Sequence, residues 1–307
     1  MSDVFLTKKG LVIRYLASDL IRMKKGDRLP VISEYQERFK VSRGTIQNAQ
    51  NFLKEKGAIV CENRGQLGTF LVGIDYDILQ TYAISGPVPG TMPLPYSKRY
   101  EGLATGLYAA FEKQDLRLNL AYIRGAKERI RLVCADVYRF AIVSRFAAKE
   151  AISEGYPVQI VVDFGKETYL SQHVLLFSDP TKRQMEDGMK VGIDYSSHDQ
   201  HSLIERLTSG LRVTLVEMPA YQLLQALQTG KIEAGVWNYD EILDKGYQGL
   251  NYVFIDTIPE LYDMNVAVML CKKDDAEMTA IIENNAMAAE VLKIQKEVLS
   301  GEKVPNY

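Results

Sequence analysis

Two groups of residues have the types and spacing needed to bind a partner. The first is the run Ser42, Arg43, Gly44 and Thr45, with Gln47 one turn further on, at the predicted start of a helix. An arginine fork can donate two hydrogen bonds to a guanine edge, while hydroxyl and amide side chains bind base edges or phosphates. This group therefore predicts contacts with double-stranded DNA, and the alternative is a solvated helix start that Ser42 only caps.

The second group consists of polar and aromatic residues that follow predicted strands or start predicted helices after residue 76. Open α/β sheets bind ligands beyond the carboxyl ends of their strands, so these positions are ligand-binding candidates. Hydroxyls and cations at helix N-termini favour carboxylates and phosphates, which predicts a small anionic metabolite. Each residue could instead be a helix cap or a surface charge. The candidates are Ser85, Ser97, Lys98, Arg99, Arg124, Ser144, Arg145, Ser196, Ser197, His198, Tyr221, Trp237, Asn238 and Asp240.

Trp237 is the only tryptophan of the chain and follows an apolar run, Ala234 to Val236. That position predicts an indole at the carboxyl end of a strand, where it would form an apolar wall of a ligand cleft. A tryptophan buried in the core is the alternative.

Residues for metal or nucleophile chemistry are scarce. The chain has three histidines and three cysteines, with no C-x-x-C pair and no Walker, G-x-S-x-G or H-E-x-x-H motif. His198, His201 and Glu205 have helical spacing but lack a further ligand, so no metal and no cofactor is predicted. We expect a protein that is not an enzyme; an enzyme in which His198 and Asp240 meet across a site remains an alternative.

The charge of the chain is divided unevenly. Residues 1–70 contain 13 Lys and Arg against 7 Asp and Glu, whereas the remainder contains 24 against 32. A basic N-terminal part fits a polyanion such as DNA, and an acidic remainder would be repelled by it. No segment has the length of apolar sequence that a membrane span or signal peptide requires, so a cytoplasmic protein without a membrane partner is expected.

The basic segment predicts a helix-turn-helix. Apolar spacing indicates helices over Thr7–Arg22 and Ile32–Phe39, and Ser42 caps a third helix that ends near Gly57. Two strand-like runs, Ala58–Glu62 and Thr69–Val72, follow and form a hairpin or wing. Arg64, Gly68 and Thr69 in this wing are predicted to approach the minor groove or its phosphates.

These segments carry a family resemblance. The sequence LPVISEYQERFKVSRGTIQNAQNFLKEKGAIV, followed by RGQLGTFLV, resembles the GntR-type winged helix, with its LP-initiated helix, F-x-V-S-R-x-T turn and G-T-F wing. The resemblance covers about 65 residues. It implies a DNA-binding transcriptional regulator.

Alternating strands and helices follow from about residue 76 and predict an α/β domain. The predicted helices are Tyr100–Lys113, Ala126–Cys134, Ser144–Ser153, His201–Ser209, Tyr221–Thr229 and Asp275–Leu299. The predicted strands are Thr81–Ser85, Leu116–Tyr122, Phe140–Val143, Val158–Phe164, His173–Phe177, Lys190–Asp194, Val213–Glu217, Ala234–Val236 and Val266–Cys271. The segment GPVPG at residues 86–90 is interpreted as a turn.

The runs VGID at 191–194, VTLVEMP at 213–219 and LLQALQTGKIEAGVW at 223–237 resemble the second lobe of type II periplasmic-binding-protein folds. The order of winged helix and bilobal domain is similar to the YhfZ-like group of GntR-related proteins. The resemblance implies a winged helix-turn-helix domain at 1–75 and a bilobal α/β effector domain at 76–307. Lobe I would comprise about 76–165 and 265–307, and lobe II about 166–264.

The sequence thus predicts a homodimeric regulator that binds double-stranded DNA and senses a small anionic metabolite between two lobes. Two alternatives remain open. The bilobal domain could be an enzyme, or it could serve only to form the dimer and bind no ligand, which a filled apolar space between the lobes would indicate.

Overall fold

In a computed structural model, the chain forms two compact units. The structure describes residues 8–39, 41–83, 87–113, 116–256, 258–273, 275, 278, 282 and 287–307. One unit contains Met1–Val88, Phe111–Leu118 and Asp274–Ala286; the other contains Pro89–Ala110, Asn119–Lys273 and Met287–Tyr307.

The first unit begins with three helices, α1 (Lys8–Leu20), α2 (Ile32–Phe39) and α3 (Arg43–Glu55). Their apolar faces pack together around Leu16, Tyr35 and Ile46, which are almost completely buried. The predicted bounds of α2 agree with the structure, and Ser42 is the N-cap of α3 as predicted.

Strands β1 (Ile59–Asn63) and β2 (Thr69–Ile74) form an antiparallel hairpin after α3. Backbone bonds from Gly26 N to Leu71 O (2.7 Å) and from Leu71 N to Asp27 O (2.9 Å) add the segment before α2 to the edge of this hairpin. Burial of Leu71 and Ile59 fixes the hairpin on the helices. This arrangement of three helices and a hairpin is a winged helix.

The second unit contains two five-stranded sheets. The strands of the first sheet have the order β4-β3-β5-β12-β6. Their bounds are β3 (Val88–Met92), β4 (Leu118–Tyr122), β5 (Phe140–Ser144), β6 (Val158–Asp163) and β12 (Ala267–Lys272). Strand β5 is buried along its whole length, as expected of a central strand that is covered on both faces.

The second sheet has the order β11-β7-β10-β8-β9. Its strands are β7 (His173–Phe177), β8 (Lys190–Ile193), β9 (Thr214–Glu217), β10 (Ala234–Asn238) and β11 (Asn251–Phe254). The chain enters this sheet after β6 and returns at β12 to the first sheet, where β12 lies between β5 and β6. We call the layers around the first and second sheets lobe I and lobe II.

Helices cover both sheets. They are α5 (Lys98–Glu112), α6 (Ala126–Cys134), α7 (Arg145–Ser153), α8 (His198–Leu207), α9 (Leu223–Gln228), α10 (Tyr239–Lys245), α11 (Leu261–Met264) and α12 (Met287–Ser300). Helix α4 (Tyr76–Ala83) belongs to the first unit instead, where Leu79 and Ala83 join the core of the three N-terminal helices. Helices α6, α7, α8 and α10 each begin directly or a few residues after a strand, so their N-termini lie near the carboxyl ends of the strands.

Two predictions near the start of the α/β region are wrong. The predicted strand Thr81–Ser85 is helical as far as Ala83, because Asp75 caps α4 through a bond from Ile78 N (3.0 Å) and buried residues recur at helical spacing. The predicted turn at 86–90 is strand β3 from Val88 onward. Gly90 allows this strand to pack on Phe140, because a Cβ at this position would lie 2.1 Å from the ring.

Strand β11 and helix α10 were not predicted, because each is short and lacks a clear apolar period. Of the predicted final helix, the structure describes Met287–Ser300 as α12, while most of residues 274–286 lie outside the described part. No helix within the described residues is long and apolar enough to span a membrane.

Candidate functional site

The N-terminal end of α3 is an exposed polar surface. The Ser42 hydroxyl caps the helix by accepting from Thr45 N (3.4 Å), and its oxygen lies 2.8 Å from the Thr45 hydroxyl. Ser42, Arg43, Gly44 and Gln47 are exposed, and Thr45 is half-buried. Burial of Ile46 and Ala49 anchors the opposite face of the helix, so the predicted DNA-contacting residues share the outer face.

The same face carries Asn48 and Asn51, which the sequence interpretation did not single out. Both are exposed, and Asn51 follows Gln47 by four residues, so the two lie one above the other on the helix. Asparagine and glutamine amides can bind adenine edges with two hydrogen bonds. Helical periodicity applied from Gln47 would have identified Asn51.

The wing presents Arg64, whose guanidinium bonds to Glu62 (2.9 Å) and stacks on the Phe70 ring at 4.7 Å. Gly68 has φ +96°, and a Cβ there would lie 2.7 Å from Arg28 Nε. Gly68 therefore both makes the tight turn and admits the Arg28 side chain. Thr69 is half-buried, and its carbonyl accepts from Leu29 N (2.8 Å).

A cavity of about 300 Å³ lies between the two sheets of the second unit. Lobe I contributes the loop before α5 and the start of α6, and lobe II contributes the ends of β8 and β10 and the start of α8. Aromatic rings dominate its wall, which is formed in part by Tyr96, Tyr100, Tyr169, Tyr221 and Trp237. We call this space the interlobe cleft.

Six predicted ligand-binding residues line the interlobe cleft: Arg124, Ser196, Ser197, Tyr221, Trp237 and Asn238. Arg124 of lobe I reaches across to lobe II, where its Nη2 lies 3.2 Å from both Asp194 Oδ1 and Ser196 Oγ. Ser197 also caps α8, and Asn238 caps α10 by accepting from Asp240 N (2.9 Å). Ser197 and Asn238 therefore each cap a helix and line the cleft at the same time.

The three other predicted cations do not line the cleft. Arg99 pairs with Asp240 (3.1 Å), and Arg145 pairs with Asp263 (2.7 Å) and Asp163 (2.9 Å). Lys98 is exposed, and its backbone N–H donates to Asp244. The sequence predicted correctly that these cations lie near strand ends, but it could not show that acidic partners from distant segments hold the Arg99 and Arg145 side chains outside the cleft.

Four more predicted residues lie outside the cleft lining. Ser97 and Ser144 are buried caps of α5 and α7, His198 is a buried residue at the start of α8, and Asp240 is held by Arg99 and by Ser171 N. No bond joins Asp240 and His198 among the described residues, so the pair considered for an enzyme is not assembled. Ser85 lies outside the described residues.

Arg129 lines the cleft and was missed by the sequence interpretation. Its side chain is 2% exposed and donates to the carbonyls of Ile123 (2.7 Å) and Ile142 (3.1 Å) and to the Tyr169 hydroxyl (3.0 Å). Within the described residues no carboxylate lies within 4.0 Å of its guanidinium. A single arginine within a helix carries no signal of burial in one sequence, which explains the omission.

Asp199 is a buried carboxyl on the lobe II side of the cleft. It accepts a hydrogen bond from the Ser144 hydroxyl of lobe I (2.7 Å). Burial raises the pKa of Asp199 to about 7, although the Ser144 bond and the charge of Arg129 act in the opposite direction. The carboxyl is therefore only partly ionised near neutral pH.

Three buried polar atoms around the cleft have no hydrogen-bond partner in the described part of the chain: His173 Nδ1, Trp237 Nε1 and Asn238 Nδ2. Asn238 and His173 are opposite each other on strands β10 and β7, and Trp237 precedes Asn238. Burial lowers the pKa of His173 to about 4, so its ring is neutral at pH 7. Unpaired buried polar groups of this kind cost roughly 1–3 kcal/mol each, which a ligand or water can offset.

Gly125 forms a close contact between the lobes at the mouth of the cleft. It has φ +78°, and a Cβ at this position would lie 2.8 Å from the Ser196 carbonyl oxygen. Only glycine allows both the backbone conformation and this approach.

The histidines do not form a metal centre in the described part of the chain, where no group of three ligating side chains occurs. His201 Nε2 lies 3.1 Å from Glu205 Oε1, and the His201 ring packs edge-on against Tyr195. This helical pair accounts for the spacing noted in the sequence.

The fold has relatives among solved structures. The crystal structure of YhfZ from Shigella flexneri is 30% identical, with a TM-score of 0.63 over 75% of this chain and 97% of that chain. The periplasmic aliphatic sulphonate binding protein SsuA from Escherichia coli is 13% identical, with a TM-score of 0.52 over 71% of this chain and 76% of that chain. The second likeness shows a shared fold and confirms the predicted periplasmic-binding-protein-like class.

Sequence comparison extends over the whole chain. Residues 24–71 match a helix-turn-helix domain family, which is typical of DNA-binding regulators, and residues 75–307 match the family described as YhfZ C-terminal domain. The uncharacterized protein YhfZ of Escherichia coli (strain K12) is 32% identical over 311 residues, covering 100% of both chains. The chain therefore belongs to the YhfZ family, in which a helix-turn-helix domain precedes a periplasmic-binding-protein-like domain.

Proposed function

We propose that this protein is a GntR-like transcriptional regulator whose DNA affinity is controlled by a small anionic molecule in the interlobe cleft. The observation that carries the proposal is the presence, in one chain, of an exposed recognition helix and of a cleft with unsatisfied polar groups. A ligand can control DNA binding only if it binds one conformation of the protein more tightly than another.

The DNA-binding part of the proposal rests on α3 and the wing. Arg43 is fully available for a guanine edge, because it is exposed at the start of α3, and Gln47 lies one turn further along the same surface. We propose that the protein acts as a homodimer, since paired recognition helices read two half-sites one helical turn apart.

The anion part of the proposal rests on Arg129. A buried guanidinium without an ion-pair partner is costly, and an anionic group in the cleft would provide the missing charge. Arg124, the other arginine of the cleft, is already paired with Asp194, so it leaves less positive charge for a ligand than Arg129 does. Lys98, Arg99 and Arg145 are not part of the proposed site.

The two alternatives receive less support. A domain that served only for dimer formation would have no need of an open cleft in which three polar atoms have no partner among the described residues. An enzyme would need an acid, base or nucleophile positioned on a reacting atom, and the His198 and Asp240 pair considered for that role is not assembled.

Trp237 offers a direct measurement of cleft occupancy. Trp237 belongs to the cleft wall and also to the buried core of lobe II, and its N–H has no partner among the described residues. Because it is the only tryptophan of the chain, selectively excited emission should shift in intensity or wavelength when a ligand binds. A screen of small organic anions should therefore contain molecules that change the emission and raise the melting temperature together, since a ligand at 100 times its Kd adds about 2.7 kcal/mol of stability.

The control is Trp237→Phe, which keeps an apolar ring but removes the donor. It should bind the same molecule more weakly and still unfold cooperatively. A confirmed ligand that leaves the emission unchanged and binds Trp237→Phe normally would remove Trp237 from the site.

A further inference from the structure

The ion pairs of the interlobe cleft restrict the charge of its ligand. Arg124 faces Asp194 (3.2 Å), and Lys245 faces Glu241 (2.5 Å), so each of these cations is already balanced by a carboxylate. A ligand anion bound by either cation would share it with a buried carboxylate, so neither cation offers an unbalanced positive charge.

Among the described residues of the wall, the remaining charged groups are Arg129 and Asp199. Arginine carries a permanent positive charge in proteins, whereas burial raises the pKa of Asp199 to about 7. The excess charge of the wall at neutral pH is therefore positive and does not exceed one unit. One negative charge on a ligand is compensated, and a second one would be buried without a partner.

The rest of the wall is apolar. The rings of Tyr96, Tyr100 and Tyr169 form a chain of edge-to-face contacts with centroids 5.2 Å apart, and Tyr169 bonds to Arg129. The aromatic surface thus leads directly to the buried guanidinium. A ligand that places an acid group at Arg129 would lay its body against these rings.

The unpaired Trp237 Nε1 and Asn238 Nδ2 are donors on the opposite, lobe II side of the cleft, and His173 Nδ1 lies across from Asn238. The two donors require a polar acceptor, such as a carbonyl or hydroxyl oxygen, and this acceptor need not be charged. A bridging water could serve when the ligand lacks such an oxygen.

We propose that the interlobe cleft selects monoanionic carboxylates with an aromatic or similar apolar body, and that it discriminates against phosphate esters and dicarboxylates. This inference rests on the proposed function of the cleft as an effector site. It restricts the effector to one class of ligand, which is defined by the charge of Arg129, the apolar tyrosine rings and the Trp237 and Asn238 donors.

The test compares four probes on the full-length protein: 3-phenylpropionate, phenyl phosphate, succinate and 3-phenylpropanol. Binding is measured by Trp237 emission and by the shift in melting temperature. We expect 3-phenylpropionate to bind at least tenfold more tightly than each of the other three, because only it combines one negative charge with an apolar ring. Tighter binding of phenyl phosphate or succinate would overturn the ligand class while leaving an effector site in place.

A second test uses a variant that leaves the buried Arg129 unchanged. Asn238→Asp keeps an oxygen that can cap α10 but replaces the Nδ2 donor by a negatively charged oxygen. It should fold and should bind 3-phenylpropionate at least tenfold more weakly, and unchanged binding would contradict the role of the donor. If none of the four probes binds the wild-type protein, the ligand class fails, and the proposed function of the cleft fails with it only when the screen of small organic anions also leaves the Trp237 emission and the melting temperature unchanged.

Discussion

Replacing Arg43 by alanine is expected to weaken sequence-specific DNA binding strongly without loss of stability. Arg43 is exposed at the first position of α3, and the cap of this helix is formed by Ser42, so no folding contact depends on the guanidinium. A bidentate contact between arginine and guanine contributes roughly 1–3 kcal/mol of discrimination. Specific affinity should therefore fall about five- to 150-fold.

Selection of bound fragments from genomic DNA would measure this effect. The wild-type protein should enrich a common sequence at moderate salt, and Arg43→Ala should enrich that sequence much less. Arg43→Lys is the matched control, because it keeps the charge and loses the two-bond fork; it should retain salt-dependent nonspecific binding while losing discrimination. Equal enrichment by wild type and Arg43→Ala would show that α3 is not the recognition helix.

Replacing Gly125 by alanine should reduce ligand affinity in the interlobe cleft by at least tenfold. The new Cβ would lie 2.8 Å from the Ser196 carbonyl oxygen, so the lobes would have to separate at the mouth of the cleft. This movement would also lengthen the Arg124–Asp194 contact that spans the lobes. A ligand held from both sides would then lose contacts on one of them.

Gly155→Ala is the control for backbone strain. Gly155 has φ +86° in the same lobe, and a Cβ there would meet no atom within 4 Å. Gly155→Ala should lose about 1–2 kcal/mol of stability from its positive φ alone. Gly125→Ala should lose more, because its ψ of 126° lies outside the left-handed helical region and its Cβ meets Ser196, and only Gly125→Ala should bind ligand poorly. If the two variants bind ligand equally, as measured by Trp237 emission, the close approach of the lobes at Gly125 is not needed for ligand binding.

Local sequence signals predicted most of the fold. Helix α2, helix α6 and strand β7 have the predicted bounds, because each has a clear apolar period and distinct end signals. Strand β3 was missed because the proline and glycine of its sequence, VPGTM, resemble a turn, and its strand conformation depends on packing against Phe140. Contacts of this kind come from distant parts of the chain and leave no local pattern.

The candidate site was predicted less completely than the fold. Position after a strand identified Arg124, Ser196 and Trp237 as cleft residues, since strand order and polarity are visible in one sequence. The same rule also selected Arg145, which ion pairs from two other segments hold outside the cleft. Pairing partners are set by tertiary structure, so the sequence could not separate paired from unpaired cations.

The central claim is that the interlobe cleft and the recognition helix are energetically coupled. The most direct test of this claim measures the affinity of the full-length protein for a selected DNA fragment by fluorescence anisotropy. The measurement is made with and without a saturating concentration of a small molecule. That molecule is the one that changes Trp237 emission most. Coupling between two sites is typically worth about 1–3 kcal/mol, so DNA affinity should change about five- to 150-fold. Linkage requires that the DNA change the affinity for the small molecule by the same factor. A DNA affinity that is the same with and without the bound molecule would contradict the account.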